Sequence, residues 1–203
     1  MARHKETQRE AIRNETRQKL LEATIQELAN QGFDKANVNR IAQQAGFSIG
    51  TLYNYFPTKR QLMYAFIEET AQIHVSYIQE RVFLEALPER RLQTFFEAGF
   101  TFIEENITQA KAIFNTLNGP DEDFKLRLFQ AYQPLFQLIS EDVIKSGINQ
   151  GTFRQINSRE IANLIMLIYL GVGSQFNQAG KLWVTASMVS SFVLNSLQNG
   201  GKD

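Results

Sequence analysis

Apolar residues along this chain recur at spacings of three and four, and no stretch sustains the period-two alternation of a half-buried strand. Leu21, Thr24, Ile25 and Leu28 form a first helical stripe that ends at Gly32, a residue suited to the left-handed turn after a helix. Val38, Ile41, Ala42 and Ala45 form a second, opening behind Asn37 as N-cap and ending at Gly46. A third, very short helix is predicted to open at Ser48, with Phe47 packing back on Leu52 as a hydrophobic staple. Leu52 and Phe56 lie one turn apart, and burying them turns Thr51, Tyr53, Asn54 and Tyr55 outward. Pro57 punctuates the chain. Thr58 with Gln61 then has the form of a capping box, launching a long helix through Leu62, Phe66, Ile73 and Tyr77.

The remainder is expected to be helical too. Pro88 suits the first turn of a helix carrying Leu92, Phe95, Phe96, Phe102 and Ile103, and Thr108 caps a short segment that stops at Asn118-Gly119-Pro120. Residues 121–150 read as one helix kinked at Pro134 and closed by Gly151. Asn157 and Glu160 cap a helix to about Gln178, Gly180 precedes a last one over 182–197, and Gly200-Gly201-Lys202-Asp203 reads as a frayed tail.

Composition narrows the class. The 203 residues are 43% hydrophobic, with sixteen phenylalanines, so the chain can bury a core and is not of the disordered type. The absence of cysteine excludes disulfides, thiolate catalysis and cysteine-bound metal. No apolar stretch follows the charged N-terminus as a secretory leader would, and Ile161–Gly173 is shorter than the roughly 20 residues of a membrane span. A soluble, cytoplasmic protein is expected, with no membrane partner. Zero net charge conceals an asymmetry: ten lysines and arginines against six acids up to residue 65, eleven against fifteen beyond it. The basic end suits phosphate.

Helix, short helix, glycine-containing turn, short helix is the layout of a helix-turn-helix module, whose last helix enters the major groove of DNA. The hydroxyls and amide of Thr51, Tyr53, Asn54 and Tyr55 can serve phosphate oxygens or base edges, Gly50 permits close backbone approach, and Lys59 adds charge at a helix start. The same tyrosines can instead cover a small hydrophobic cluster.

The segment GFDKANVNRIAQQAGFSIGTLYNYFPTKRQL resembles the N-terminal domain of TetR-family transcriptional regulators over roughly residues 10 to 65. The resemblance implies an all-α homodimer: a three-helix DNA-binding domain over residues 1–57, then a C-terminal domain of about six helices over 58–203 for effector binding and dimerisation. Carried over by position, the DNA contacts are Asn37, Val38, Ser48, Ile49, Gly50, Thr51, Tyr53, Asn54, Tyr55 and Lys59. Ile49 departs from the usual polar residue and either meets a thymine methyl or makes no contact. Arg40 replaces a common acid and adds a candidate phosphate contact. Arg3, His4, Lys5 and Arg9 are either an arm tracking the backbone or minor groove, or an untethered tail.

An effector pocket leaves no fixed sequence signature. Phe96, Phe100, Phe102, Phe114, Phe136, Met166, Tyr169 and Phe176 are candidate walls, with Asn115, Gln137 and Gln175 as polar contacts; aromatic stripes at helical spacing are more often plain core, and each also has that reading. So many phenylalanines favour an apolar or aromatic effector. The last two helices are apolar around much of their circumference and must be covered on several sides. Leu164, Ile168, Gly171, Val184, Met188, Ser191 and Phe192 are the candidate dimer interface, complete burial within one chain being the alternative.

The expected function is a ligand-responsive regulator, a repressor, that binds a pseudo-palindromic operator in double-stranded DNA and is released by a small molecule. The alternative is a DNA-binding regulator with no small-molecule effector, constitutive or controlled by a protein partner. An enzyme is not expected: His4 and His74 stand alone, His74 reading as a surface or satisfied core residue, and no metal-binding, dinucleotide, P-loop or nucleophile-elbow motif appears. No cofactor and no metal are expected.

Overall fold

A computed structural model describes residues 2–198, with side chains described from Glu6 onward. The helices are α1 (Ala2–Lys35), α2 (Val38–Gln44), α3 (Ile49–Tyr55), α4 (Lys59–Val82), α5 (Pro88–Glu105), α6 (Ile107–Leu117), α7 (Glu122–Gln137), α8 (Ser146–Asn149), α9 (Ser158–Gly173) and α10 (Ala186–Leu197). Among the described residues the only β pairing is an isolated antiparallel bridge between Phe176 and Leu182. The fold is all-α, as the three-and-four spacing requires.

The chain forms two compact units. One comprises the residues up to Thr70 together with Thr108–Leu128; the other comprises Ala71–Ile107 and the chain from Phe129 onward. In the first, α1 is interrupted at Gly32, whose φ of 68° and ψ of 175° lie in a region almost reserved for glycine. Gly46 follows α2 with φ 80°. Asn37 caps α2 by accepting from the Asn39 N–H, and Ser48 caps α3 by accepting from the Thr51 N–H. The Gln61 N–H donates to Thr58 Oγ at 3.1 Å at the start of α4. Leu20, Leu28, Ile41, Leu52, Leu62, Met63, Phe66 and Phe124 fill this unit's interior.

The second unit packs Phe95, Phe96, Phe100 and Phe102 of α5 with Ile139, Val143, Ile165, Tyr169 and Val193. Gly99 of α5 is required there, because a Cβ would stand 2.4 Å from the Tyr169 hydroxyl.

Several sequence expectations are corrected. The N-terminal segment carrying Arg3, His4, Lys5 and Arg9 is backbone of α1, not a tail; the side chains of Arg3, His4 and Lys5 lie outside the described residues, and Arg9 is exposed. Pro134 lies within α7, and in place of a simple kink there the ladder widens to a π-helix over Leu138–Lys145. Arg91 enters that stretch from α5 and donates to the Asp142 carbonyl at 3.0 Å, the kind of insertion that disturbs a helical ladder. The helix expected from residue 182 starts at Ala186, capped by Thr185; the Leu182 N–H is held by Glu104 Oε1 at 3.0 Å instead. The helix expected to reach about Gln178 stops at Gly173. The tail from Gly200 onward lies outside the described residues.

Replacing Gly32 with alanine is expected to destabilise the fold by about 1–3 kcal/mol, since Cβ strains this backbone conformation. Chemical denaturation checks this; an unchanged midpoint contradicts it.

Candidate DNA interface and effector site

Leu52 is fully buried and Phe56 is 4% exposed, so α3 is held by one face. Its other face carries exposed Asn54 and Tyr53, the latter 41% exposed, with Thr51 and Tyr55 half-buried. Ser48 and Gly50 are exposed, Ile49 and Val38 half-buried, and Asn37 exposed. Beside Gly50 the nearest atom to a would-be Cβ is Ser48 Oγ at 3.7 Å, so the backbone there is open to approach. Thr51 Oγ lies 2.9 Å from Ser48 Oγ, which orients both hydroxyls at the start of α3.

The charged candidates are spent differently. Arg40 grips the buried carboxylate of Glu27 through Nε at 3.0 Å and Nη2 at 2.6 Å, and also reaches the Lys35 carbonyl at 3.3 Å. Glu27 accepts the Asn37 N–H at 2.9 Å as well. Lys59 donates to the Phe33 carbonyl at 3.0 Å and sits 4.8 Å from the Phe33 ring centre. Burial holds the Lys59 ammonium below the usual lysine pKa, against the opposite pull of Asp34 and Glu27. Both cations are thus bonded to groups of this unit, while the Arg40 side chain remains 49% exposed.

Phe114 and Asn115 also belong to the first unit, apart from the other pocket candidates. Asn115 donates to the carbonyls of Leu28 and Ala29 at 3.2 and 3.1 Å. Ion pairs join Arg60 to Asp121 and Asp123, Arg127 to Glu68, and Arg17 to Glu69.

The second unit gathers most of the remaining aromatic candidates around a residue the sequence did not single out as a site. His74 of α4 is buried, stacked on Phe102 with ring centres 4.3 Å apart. Its Nδ1 lies 3.2 Å from the Tyr132 hydroxyl and its Nε2 2.9 Å from the Tyr169 hydroxyl. Phe95, Phe96 and Phe100 pack on the Tyr169 ring. A lone histidine in a helical pattern gives no hint of partners 58 and 95 residues away. Burial drives the His74 pKa down to about 4, with the Gly99 carbonyl pulling weakly the other way, and burial also raises both tyrosine hydroxyls.

The other candidates stand elsewhere in this unit. Phe136 is covered by the Arg159 guanidinium at 5.8 Å, Gln137 and Gln175 are exposed, Met166 is half-buried, and Phe176 sits in the bridge to Leu182. An open groove of about 370 Å³ runs past Tyr77, Arg81, Thr94 and Thr101. Tyr77 packs on Phe102, so the groove is one ring layer from His74.

On α9 and α10, one face packs inward through Ala162, Ile165, Tyr169, Val189, Val193 and Leu197. The opposite face leaves Leu164, Leu167, Met188 and Phe192 more than half exposed, with Trp183 just before α10 at 71%. Gly171 and Ser191 are exposed on these helices too, with Ile168 and Val184 half-buried nearby.

The His74 pKa of about 4 lies below its unfolded value near 6.5, so the unfolded chain binds more protons in between. Stability from this group is full above pH 6.5 and declines as pH falls toward 4, by about 3 kcal/mol. Replacing His74 with phenylalanine is expected to flatten that part of the stability profile; an unaltered profile contradicts the assignment.

The profile of bacterial regulatory proteins of the tetR family matches residues 20–66. The chain is 30% identical over 151 residues to the HTH-type transcriptional repressor KstR2 of Mycobacterium tuberculosis, spanning 70% of each chain. The fold resembles FadR from Bacillus subtilis, solved with stearoyl-CoA, at a TM-score of 0.78 and 17% identity, covering 90% of this chain and 98% of that one. It also resembles AibR, solved with isovaleryl coenzyme A and operator DNA, at a TM-score of 0.73 and 16% identity, covering 90% and 98%.

Proposed function

The chain belongs to the TetR family of bacterial transcriptional regulators, and from that premise we propose a homodimeric, ligand-responsive repressor of a pseudo-palindromic operator. The observation that carries this reading is α3, anchored inward by Leu52 and Phe56 while Tyr53 and Asn54 stand exposed. In duplex DNA, Asn54 reads a base edge, as an amide can on adenine, and Ser48, Thr51, Tyr53 and Tyr55 position the helix on phosphates. The open backbone at Gly50 lets the helix start approach a strand. Ile49 supplies an apolar contact to a thymine methyl.

Dimerisation is supported by the uncovered apolar face of α9 and α10, larger than single scattered hydrophobics account for. A two-fold symmetric dimer carries two α3 helices, and successive major grooves lie about 34 Å apart. The effector is hydrophobic and binds the second unit, where the aromatic cluster lies. Acyl-CoA thioesters are the first class to test, since two proteins of the same fold hold them. Effector binding favours one conformation and thereby alters operator affinity, with α4, which contributes to both units, as the coupling element. Such a regulator works in the cytoplasm, with the chromosome.

Asn54→Ala is expected to weaken binding to an operator selected from random DNA by about 1–3 kcal/mol, with the helical circular dichroism unchanged. Parental affinity overturns the contact assignment. Leu164→Glu combined with Phe192→Glu is expected to convert a dimer into a monomer in sedimentation. A double variant that still sediments as a dimer removes this face from the interface.

A further inference from the structure

Glu27 is an acid at an inward position of α1: its side chain is 4% exposed, and Thr24 and Leu28 beside it are buried too. Burying a carboxylate is costly, and a buried ion pair is weak evidence for stability, because apolar side chains of similar volume often serve an interior as well. What sets Glu27 apart from an apolar filler is where its charge goes. One oxygen, Oε1, accepts from Arg40 Nε at 3.0 Å, from Arg40 Nη2 at 2.6 Å and from the Asn37 N–H at 2.9 Å. Arg40 and Lys59 are the only charged residues from Ala36 to Lys59, so the segment carrying α2 and α3 is by itself cationic. The compensating acids come from α1: Glu27 on Arg40, and Asp34 with Glu27 on Lys59. The Glu27 carboxylate is enclosed, so salt screens its pairing with Arg40 less than it screens an exposed pair. In a helix-turn-helix the helix before the recognition helix crosses the DNA backbone. A phosphate that approaches the exposed half of Arg40 therefore meets a guanidinium whose charge is already balanced.

We propose that Glu27 is a specificity-determining residue: by balancing Arg40 from within the fold it withholds a cation from phosphate, so that duplex binding rests on the neutral groups of α3. This rests on the reading of α3 as the operator-contacting helix. Sequence-independent binding comes from phosphate neutralisation and the release of counterions, whereas base edges are read by hydrogen bonds and apolar contacts. An unopposed Arg40 strengthens the hold on any duplex, including the far more numerous non-operator sites. Through the Asn37 N–H the same carboxylate fixes where α2 begins, so one group sets both charge balance and register. Without its charge, non-operator binding gains a cation and needs no register, while the operator complex loses a firm start to α2.

The test is Glu27→Gln, which keeps an oxygen for the Asn37 N–H and removes the charge. Binding of the full-length protein to a non-operator duplex, and to an operator selected from random DNA, is followed by fluorescence anisotropy across salt concentrations. Non-operator affinity is expected to rise by about three- to tenfold at ~0.1 M salt, with the log–log salt slope steeper by about one and the ratio of operator to non-operator affinity reduced. A purely structural role weakens binding to both duplexes without steepening the slope, and that result, or an unchanged affinity ratio, overturns the proposal. Glu27→Gln combined with Arg40→Gln removes the pair at constant net charge and does not require the single variant to fold; its non-operator slope is expected to match the parent's. A shallower slope means that Arg40 already neutralises a phosphate in the parent, a steeper one that Arg40 is not the cation released, and either overturns the proposal. Parent protein that binds no duplex overturns the operator reading itself, whereas selective parent protein with an unchanged slope in Glu27→Gln overturns this inference alone.

Discussion

The first unit depends on how the end of α1 is finished. Gly32 breaks the helix and strands its last carbonyls, groups that cost free energy when left without partners. Other elements collect them. Asn115 from α6 takes Leu28 and Ala29, Lys59 from α4 takes Phe33, the Ala36 N–H also bonds Phe33, and Arg40 from α2 reaches Lys35. Glu27, buried one turn before the break, binds Arg40 and the Asn37 N–H, so it fixes where α2 begins. The position of α2 and α3 is thus set by polar groups that have nowhere else to go, with Leu52 and Phe56 adding the apolar anchor.

That solution consumes cations. Lys59 and Arg40 are bonded to carbonyls, a carboxylate and a ring, and α3 itself carries no charged residue, so its outward face consists of neutral hydrogen-bonding groups. Neutral donors and acceptors contribute less to salt-dependent affinity than lysine or arginine does, and more to reading base edges and fixing register. The shape of α3 follows from its shortness: two turns with one buried side have a single polar side to present.

The second unit is organised around a buried polar group in place of a polar chain end. His74 stays neutral because burial penalises its charged form, and two tyrosines occupy both its nitrogens. Gly99 makes this possible by leaving room for the Tyr169 hydroxyl against α5. At the other side of the unit, α9 and α10 are apolar on two faces, and one chain covers only one of them.

Local rules determined much of this protein from its sequence. Caps at Asn37, Ser48, Thr58 and Asn157, breaks at Gly32, Gly46 and Gly151, and the inward pair Leu52 and Phe56 follow from neighbours within one helical turn, and these were legible. The tertiary structure decided what long separations control. It committed Arg40, Lys59 and Asn115 to α1, placed Phe114 in a different unit from the phenylalanines of α5, and closed Tyr132 and Tyr169 on His74. It also turned the stretch after Pro134 into a π-helix and delayed α10 to Ala186. Periodicity states that a residue faces inward; which distant group it meets there is set by packing, because a side chain's spacing along its own helix carries no record of the helix across from it.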